Sequence, residues 1–276
     1  MIKPVIHSLA VIVLASTSLL ANHPVFVEGN CLVPPAGNPG AVVPGTCGDY
    51  DGDGRIGVAE DNDGDRVFGT IAGALGSLPT GANQNGKVII VTSGVFAEVV
   101  NITAANGNVT LEAAPGVNAD IDAVLQGDPN SGARQNSPGI IVDSPNNRYV
   151  IIRNLQIRNW TSGIQVNGRS RVAIESCRIE NNRDYGVEVT GSARVKIDQS
   201  QILGSGFRSG AAPVNNTPNP GKGIEFDDSS SGAVFRTEVS GSFSTGISRK
   251  TRTGQVTTRD VYLFDNQDDD DFGPRR

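Results

Sequence analysis

Apolar residues along this chain follow a repeating pattern that begins with a glycine and an aliphatic residue. Five such pairs occur at intervals of 24, 23, 37 and 23 residues: Gly139-Ile140, Gly163-Ile164, Gly186-Val187, Gly223-Ile224 and Gly246-Ile247. In the middle three repeats the glycine opens short runs in which every second residue is apolar, and turns rich in Asn, Gly, Ser and Arg separate these runs. A recurring period of this length indicates a structural repeat.

The shortness of the apolar runs decides the type of repeat. They have the period of strands and are too short for the helices of a helical solenoid. Three such strands fit one coil of a parallel β-helix, in which each coil stacks on the previous one and the inward residues form a continuous column. We therefore predict an all-β solenoid over residues 63–264, with Ile164, Val187 and Ile224 aligned in one interior row.

The segments around the repeats differ from them in composition. Residues 22–62 are rich in Pro, Gly and Asp, and we interpret them as a lead-in. Residues 265–276 form an acidic tail, which we interpret as a disordered, solubilising end. Ile71, Ala74 and Leu75 have helical spacing, so we predict a short helix that covers the open end of the first coil.

The one long interval between repeats contains an insertion rich in Pro and Asn, residues 207–221. This composition predicts a loop that projects from one corner of the coil. Long loops on a rigid scaffold often carry binding function, but a tolerated insertion without a role is an equally open interpretation.

Residues 1–21 have the features of a secretory signal peptide, with Lys3, an apolar stretch and small residues up to Ala21. An uncleaved anchor is the alternative, but the uninterrupted apolar run is short for a membrane span. We therefore expect an exported protein, secreted or in the cell envelope, with no span after signal removal. Export permits a disulfide between Cys31 and Cys47, which flank a Pro/Gly-rich stretch.

The bulk composition agrees with this fold class and limits the partners. The chain has 34 glycines but only 4 tyrosines and 1 tryptophan among 276 residues, which suits an all-β solenoid better than a helical enzyme. Its formal net charge is −6. A nucleic-acid partner is therefore not expected, because phosphate binding needs a basic surface.

Residues 49–60 match the twelve-residue calcium loop at each diagnostic position. Gly54 allows the sharp turn at position 6, and Ile56 supplies an apolar anchor at position 8. No amphipathic helix precedes the segment, so it resembles the single, dockerin-like extracellular loop in which calcium orders the chain; a solvated acidic linker is the alternative. The expected Ca²⁺ ligands are oxygens at positions 1, 3, 5, 7 and 12: Asp49, Asp51, Asp53, the Arg55 carbonyl and Glu60.

Residues 63–264 resemble the right-handed parallel β-helix, or pectin-lyase-like, superfamily through these repeats. The segments FGTIAGAL, KVIIVTSGVFAEVVNI and NVTLEAAPG are similar to the first coils of secreted carbohydrate-acting members, including pectin esterases. Residues 94–98 occupy the place of a Gly-x-Tyr-x-Glu structural turn in those families. The resemblance implies a single-stranded right-handed parallel β-helix with a short N-terminal capping helix.

The catalytic signatures of these families are missing from the chain. The Val-Asp-Phe setting of pectin esterases, the Gly-His-Gly and Arg-Ile-Lys motifs of polygalacturonases and the arginine motif of pectate lyases do not occur. The chain has 2 histidines, His7 and His23, and both precede the solenoid. A shared fold does not by itself imply a shared function.

Outward residues at equivalent positions of stacked coils form ladders with a spacing of about 4.8 Å. Neighbouring carboxylates in such a ladder raise each other's pKa and can form an acid/base pair or a cation site. The candidate catalytic set is therefore Glu188, Glu225, Asp227 and Lys250, with Lys250 or Arg249 as the base of a calcium-dependent lyase. We favour the alternative that these residues form an ordinary solvated strand face. The two ladders are Gln165, Glu188, Glu225, Ser248 and Asn167, Thr190, Asp227, Lys250.

Three functions remain open at this point. We favour a non-catalytic extracellular module that binds polysaccharide or surface glycans through the ladder face and residues 207–221, with a structural Ca²⁺ site. The second is a divergent calcium-dependent polysaccharide lyase or hydrolase, and the third is a structural envelope or adhesion protein. The missing catalytic motifs favour the first, and the sequence leaves the oligomeric state open.

Overall fold

The computed structural model describes residues 24–29, 31, 40–41, 43, 46–49, 52–56, 67–80, 85–123, 137–144, 148–206, 221–250 and 254–271. The predicted signal peptide lies outside the described residues, as do Asp51 and Glu60 of the predicted calcium loop and residues 207–220 of the insertion.

The strands of the N-terminal part are short. They are β1 (Val25–Val27), β2 (Gly40–Ala41), β3 (Arg55–Ile56), β4 (Val67–Phe68) and, after helix α1 (Ile71–Ser77), β5 (Asn85–Ile90). The early coils contain β6 (Gly94–Val95), β7 (Val100–Thr103), a 3-10 turn (Ala104–Asn106), β8 (Asn108–Ala113) and β9 (Ala119–Asp122).

The regular coils then follow in groups of three strands. They comprise β10 (Ile140–Ser144), β11 (Tyr149–Arg153), β12 (Leu155–Arg158), β13 (Ser162–Gly168), β14 (Arg171–Glu175), β15 (Arg178–Glu180), β16 (Tyr185–Val189), β17 (Arg194–Asp198) and β18 (Gln201–Leu203). The remaining strands are β19 (Lys222–Phe226), β20 (Ser231–Phe235), β21 (Glu238–Ser240), β22 (Thr245–Arg249), β23 (Val256–Arg259), β24 (Tyr262–Phe264) and β25 (Asp268–Asp271).

β2 and β3 pair with each other in antiparallel fashion. The other strands stack into three parallel sheets, and each regular coil adds one strand to each sheet. Sheet 1 has the order β7-β10-β13-β16-β19-β22-β25, sheet 2 the order β4-β1-β5-β8-β11-β14-β17-β20-β23, and sheet 3 the order β6-β9-β12-β15-β18-β21-β24. Within a coil the chain passes from sheet 1 to sheet 2 and then to sheet 3. The architecture is an all-β right-handed parallel β-helix, as the repeats predict.

The interior row expected from the glycine repeat is present in sheet 1. Ile164 is in register with Val187, and Val187 is in register with Ile224. All three side chains are fully buried. Successive side chains of a strand point to opposite faces of the sheet. The residue that follows each of these three along its own strand therefore faces outward.

The repeat glycine is required by the close approach of neighbouring coils. A Cβ atom on Gly186 would lie 2.6 Å from the carbonyl oxygen of Gly223, which is the equivalent glycine one coil further on. A Cβ atom on Gly163 would lie 2.7 Å from the carbonyl oxygen of Gly186. Any side chain would therefore force adjacent coils apart, which explains why glycine marks the period.

In one coil a larger inward side chain at one position is accompanied by a missing side chain at another. Phe226 occupies the inward position that Val189 holds in the preceding coil, and Gly232 occupies the position of Val195. A Cβ atom on Gly232 would lie 2.7 Å from Cζ of Phe226. The larger ring and the missing side chain therefore keep the interior of this layer filled at native density.

Helix α1 covers the N-terminal end of the solenoid, as its spacing predicts. Ile71, Ala74 and Leu75 are buried, and the Thr70 hydroxyl caps the helix by accepting a hydrogen bond from the Gly73 amide at 3.1 Å. The helix begins at Ile71 because residues 67–68 are a strand. Among the described residues, no helix is long and apolar enough to cross a membrane.

Sheet 2 begins inside the segment that we interpret as a lead-in. Strand β1 lies between β5 and β4 and is parallel to both. Val25 and Val27 are buried against the core, 2% and 0% exposed. We expected the solenoid to begin at residue 63, but a three-residue strand surrounded by Pro and Asn leaves too short a pattern to recognise.

The acidic tail also contributes to the solenoid. Strand β25 pairs with β22, so that Thr245 is in register with Asp268. The Asp268 amide donates to the Ser244 carbonyl at 2.7 Å. A disordered end is therefore the wrong interpretation for residues 268–271, because main-chain pairing with the last coil outweighs the low strand propensity of aspartate.

Cys31 and Cys47 form a disulfide, with their Cα atoms 5.1 Å apart. The buried Glu28 carboxylate lies beside it and accepts a hydrogen bond from the Gly48 amide at 2.7 Å. The disulfide connects the residues that follow β1 to the segment that precedes the predicted calcium loop. It therefore ties this segment to sheet 2, of which β1 is a member.

Candidate functional site

The predicted ladder lies on the outer face of sheet 1. Its members are in register from coil to coil, in the order Gln165, Glu188, Glu225 and Ser248. The second row places Lys250 Nζ 3.3 Å from Asp227 Oδ2. The structure therefore brings the four candidate catalytic residues together: Glu188, Glu225, Asp227 and Lys250.

Glu225 is the centre of this group and is enclosed rather than solvated. Its side chain is 1% exposed and forms ion pairs with two lysines. Lys250 Nζ lies 2.7 Å from Oε1, and Lys222 Nζ pairs with Oε2. Both carboxylate oxygens therefore face an ammonium group, which compensates the cost of burying the charge.

Lys250 is held in its charged form by this group. The hydrogen bond and charge of Glu225 raise the pKa of Lys250, with a further contribution from Asp227, although partial burial opposes the shift. A general base needs a pKa near the working pH, and a raised lysine pKa moves it away from that range. The geometry therefore disfavours Lys250 as a base.

Glu188 has a different environment from its neighbour in the ladder. The Ser162 hydroxyl and the Gln165 amide donate to its Oε2 at 3.1 and 3.0 Å. Burial raises the pKa of Glu188, and the charge of Glu225 adds to this, while the two hydrogen bonds oppose it. Burial and the same two carboxylates also raise the pKa of Tyr185. Tyr185, Glu188 and Lys250 therefore each have a raised pKa in the folded protein.

Lys222 and Tyr185 belong to this site but are not among the residues that the ladders single out. Tyr185 is in register with Lys222, one coil away. Each of them directly precedes a repeat glycine. A strict period of two would place Tyr185 in the inward row of Val187 and Lys222 in the inward row of Ile224, so alternation does not single them out for this site.

The predicted calcium loop lies partly within the described residues. The Asp49 side chain is buried, and its Oδ2 accepts a hydrogen bond from the Gly54 amide at 3.1 Å. Gly54 has φ = 82°, the left-handed conformation that the turn requires. Asp53 Oδ1 accepts from the Arg55 amide at 2.8 Å, and Ile56 is buried. Asp51 and Glu60 lie outside the described residues, so the complete ligand set stays a prediction.

A different group near the disulfide has the spacing of metal ligands. The donor atoms of Glu28, Cys31 and Cys47 lie within 4.8 Å of one another. The two sulfur atoms are bonded to each other, so neither is a thiolate. This group is therefore a structural contact of the lead-in.

Sheet 3 carries another set of buried carboxylates, Asp120, Asp122 and Glu180. Arg158 Nη2 donates to Asp120 Oδ2 at 2.6 Å, and its Nε lies 3.1 Å from Asp122 Oδ2. Arg178 Nε donates to Glu180 at 2.8 Å. Burial raises the pKa of Asp120, and the hydrogen bond from Arg158 opposes it. Because each carboxylate has an arginine partner, this network stabilises the stacked coils.

A groove of about 680 Å³ lies on the outer face of sheet 2. Its base is β20, whose outward residues Ser231 and Ala233 are small. The adjacent β17 carries Arg194 and Lys196, and β23 on the other side carries Thr257. The difference in side-chain length between neighbouring coils forms the depression. The repeat pattern in the sequence does not predict this groove.

Comparison with known proteins agrees with the architecture. Residues 138–272 match the family model for a right-handed beta helix region. No curated protein matches the chain in sequence. A crystal structure of pectate lyase Pel9A is similar at 12% sequence identity with a TM-score of 0.35, over 68% of this chain and 64% of that chain. The matched part thus spans less than two thirds of the enzyme's length. The molecule is a right-handed parallel β-helix repeat protein.

Proposed function

We propose that this protein is a secreted, non-catalytic module that binds polysaccharide, and that a calcium ion orders its lead-in. The observation that supports a non-catalytic role is the pairing of Glu225 with two lysines on sheet 1. A lyase or hydrolase needs a group that gives or takes a proton during turnover. The group best placed for this on sheet 1 is instead locked in ion pairs.

A binding role is supported by the outer faces of the sheets. Their side chains recur in register from coil to coil, at a spacing of about 4.8 Å, on a rigid core. A polysaccharide is itself a repeating chain, so a surface with repeated polar positions can make the same contact with successive sugars. The groove on sheet 2 adds a concave surface with polar walls and the partly exposed ring of Tyr149.

The enzymatic alternative is tested by incubating the purified protein with acidic and neutral polysaccharides. We expect binding in affinity electrophoresis, without unsaturated product in ultraviolet absorbance and without new reducing ends. Glu225→Gln is the diagnostic variant, and Glu238→Gln on sheet 3 is its control. Turnover that Glu225→Gln abolishes and Glu238→Gln retains would establish the lyase or hydrolase instead. A protein that binds no glycan at all would leave the structural envelope role.

The calcium site is supported by the left-handed Gly54 and by the closure of the loop through Asp49. Hard carboxylate and carbonyl oxygens at this spacing suit Ca²⁺. In calorimetric titration we expect one Ca²⁺ to bind the wild type and the affinity to fall at least about tenfold in Asp49→Ala, because the first ligand is lost. The control is Asp260→Ala, an exposed aspartate between β23 and β24. Equal Ca²⁺ affinity in the wild type and Asp49→Ala would remove the assignment.

A further inference from the structure

The groove on sheet 2 is lined along one side by a row of outward side chains. Tyr149 is in register with Arg171, and Arg171 is in register with Arg194. Arg194 is in register with Ser231 at the base of the groove. All four residues line the groove, so the row forms a continuous wall across four coils.

The two arginines of this wall have no counter-charge among the described residues. Neither guanidinium takes part in a salt bridge or a side-chain hydrogen bond there, and both side chains are exposed. Arg171 and Arg194 face each other on adjacent parallel strands, where like charges repel. The wall therefore raises the energy of the folded chain unless an anion binds.

The other arginines on the same sheet are paired. Arg153 lies between two carboxylates and is 2.7 Å from Glu175 Oε2. Arg236 lies 2.7 Å from Asp198 Oδ2. Among the described residues, Arg153 on β11 and Arg236 directly after β20 are thus paired with carboxylates, whereas Arg171 and Arg194 beside the groove are not.

We propose that this groove is a binding site for the anionic groups of an acidic polysaccharide, held by Arg171 and Arg194. A guanidinium offers two parallel N–H donors to a carboxylate or sulfate, the geometry in which arginine binds such groups most strongly. Two arginines one coil apart can hold anionic groups on successive or alternate sugars of one chain. The inference rests on the proposed function and adds the class of polysaccharide and the face that binds it.

The remaining residues of the groove fit a sugar chain. Ser192, Ser229 and Ser231 present hydroxyl groups along the wall where the chain enters sheet 2. Tyr149, with 48% of its surface exposed, offers a ring face for the apolar side of a sugar. Hydroxyl donors and acceptors next to an aromatic ring suit a polyol better than a bare inorganic anion.

The net charge of the protein does not favour non-specific binding of an acidic polysaccharide. The chain has a formal net charge of −6, so its overall field repels polyanions. Binding of an acidic chain must therefore depend on the local pair of arginines. A nucleic acid would need a much wider basic surface to release enough counterions.

The decisive measurement is affinity electrophoresis and calorimetry of the full chain with three probes: polygalacturonate oligosaccharides, dextran sulfate and neutral dextran. We expect the wild type to bind an acidic probe more tightly than neutral dextran. The double variant Arg171→Gln/Arg194→Gln should lose affinity for it by about tenfold or more, since it removes two charge-assisted hydrogen-bonding groups. The tighter of the two acidic probes identifies carboxylate or sulfate as the anionic group.

The matched control is Arg153→Gln/Arg236→Gln, which removes the same charge from the same sheet but from paired positions. We expect the affinity of this control to fall by no more than about twofold. Ala233→Phe fills the base of the groove without changing charge, and it should also weaken binding. Circular dichroism verifies that each variant is folded before its affinity is measured.

Three outcomes overturn the inference in distinguishable ways. If both double variants lose affinity equally, net charge and not the groove controls binding. If the protein binds only neutral dextran, the proposed function survives and the acidic ligand class does not. If a single-stranded oligonucleotide binds more tightly than any glycan and Arg171→Gln/Arg194→Gln abolishes it, the groove is a phosphate site, and both proposals fail.

Discussion

Sheet 1 and sheet 2 both place like charges on neighbouring coils, but they compensate them differently. On sheet 1, Glu188 and Glu225 are in register, and two lysines neutralise the more buried of them. On sheet 2, Arg171 and Arg194 are in register, are exposed, and have no described carboxylate beside them. The same repeat geometry thus produces two kinds of charged cluster. In the closed cluster Glu225 is buried and paired with two lysines, and in the open cluster Arg171 and Arg194 are exposed.

The difference teaches how to separate structural from ligand-binding charges on a solenoid. A repeat multiplies any outward residue along a ladder, so adjacent like charges arise easily. Burial then forces compensation within the protein, because an unpaired buried charge is costly. Exposed like charges tolerate the lack of a partner and remain available to a ligand. We therefore propose the arginines of the groove on sheet 2, and not the carboxylates of the ladder on sheet 1, as the ligand-binding residues.

The largest expected effect concerns the closed cluster. Lys222→Met removes one ammonium from the buried Glu225, whose side chain is 1% exposed against 12% for Lys222. We expect the free energy of unfolding to fall by about 3 kcal/mol, the lower end for breaking a buried pair, because Lys250 remains. Urea denaturation measures this change. Lys222→Met/Glu225→Leu should recover most of the loss. If Lys222→Met lowers the free energy of unfolding by less than about 1 kcal/mol, the ion pair between Lys222 and Glu225 behaves as a solvated surface pair.

A smaller effect, with a pH signature, is expected at Glu188. Its pKa is raised in the folded protein, so folding favours the protonated carboxyl. The folded state therefore loses stability as pH rises from the usual carboxyl pKa through the raised one. Gln keeps an oxygen that accepts from Ser162 and Gln165. Glu188→Gln should thus match the wild type in mild acid and exceed its free energy of unfolding at neutral pH.

The stability contribution of Asp198 is expected to depend on pH in the opposite direction to that of Glu188. The hydrogen bond from Arg236 lowers the pKa of Asp198, so its ionised form stabilises the fold above the usual carboxyl pKa. This stabilisation is lost as pH falls through the lowered pKa. Asp198→Asn should therefore be less stable than the wild type at neutral pH and equal to it in strong acid. If both variants shift stability in the same direction, the contrast between the carboxylates is wrong.

The smallest expected effect concerns the open cluster. Arg194→Gln removes repulsion between register neighbours, so we expect stability to rise by about 0.5 kcal/mol or less in low salt. High salt should remove the gain, because the charges are exposed and screened. Arg236→Gln, which breaks an ion pair on the same sheet, should lower stability instead. Thermal unfolding at two ionic strengths measures both. A loss in Arg194→Gln comparable to that in Arg236→Gln would make Arg194 a structural residue.

The repeated part of the molecule could be predicted from the sequence because each coil repeats the same local constraint. The repeat glycines mark the places where backbones touch, and the alternating residues after them identify the interior row. The same alternation predicts the ladder that contains Glu188 and Glu225. It also places Arg171 and Arg194 outward, although their lack of partners appears only when all neighbouring strands are known.

The parts that could not be predicted depend on pairing between distant segments. Strand β1 is defined by its position between β4 and β5, and residues 25–27 have no repeat of their own. The burial of Glu225 depends on Lys222 and Lys250, which lie on different coils or rows. A single sequence states which residues face outward but not which of them become enclosed.

Strand β25 has a consequence for how the stack ends. It lies at the last edge of sheet 1 and consists of four aspartates, residues 268–271. An open parallel edge is a template for another chain, and fibres can grow by end-to-end addition of solenoids. A newcomer at this edge would have to align beside a run of four anionic residues. We expect this acidic strand to oppose end-to-end pairing at sheet 1, while at the opposite end α1 covers the core.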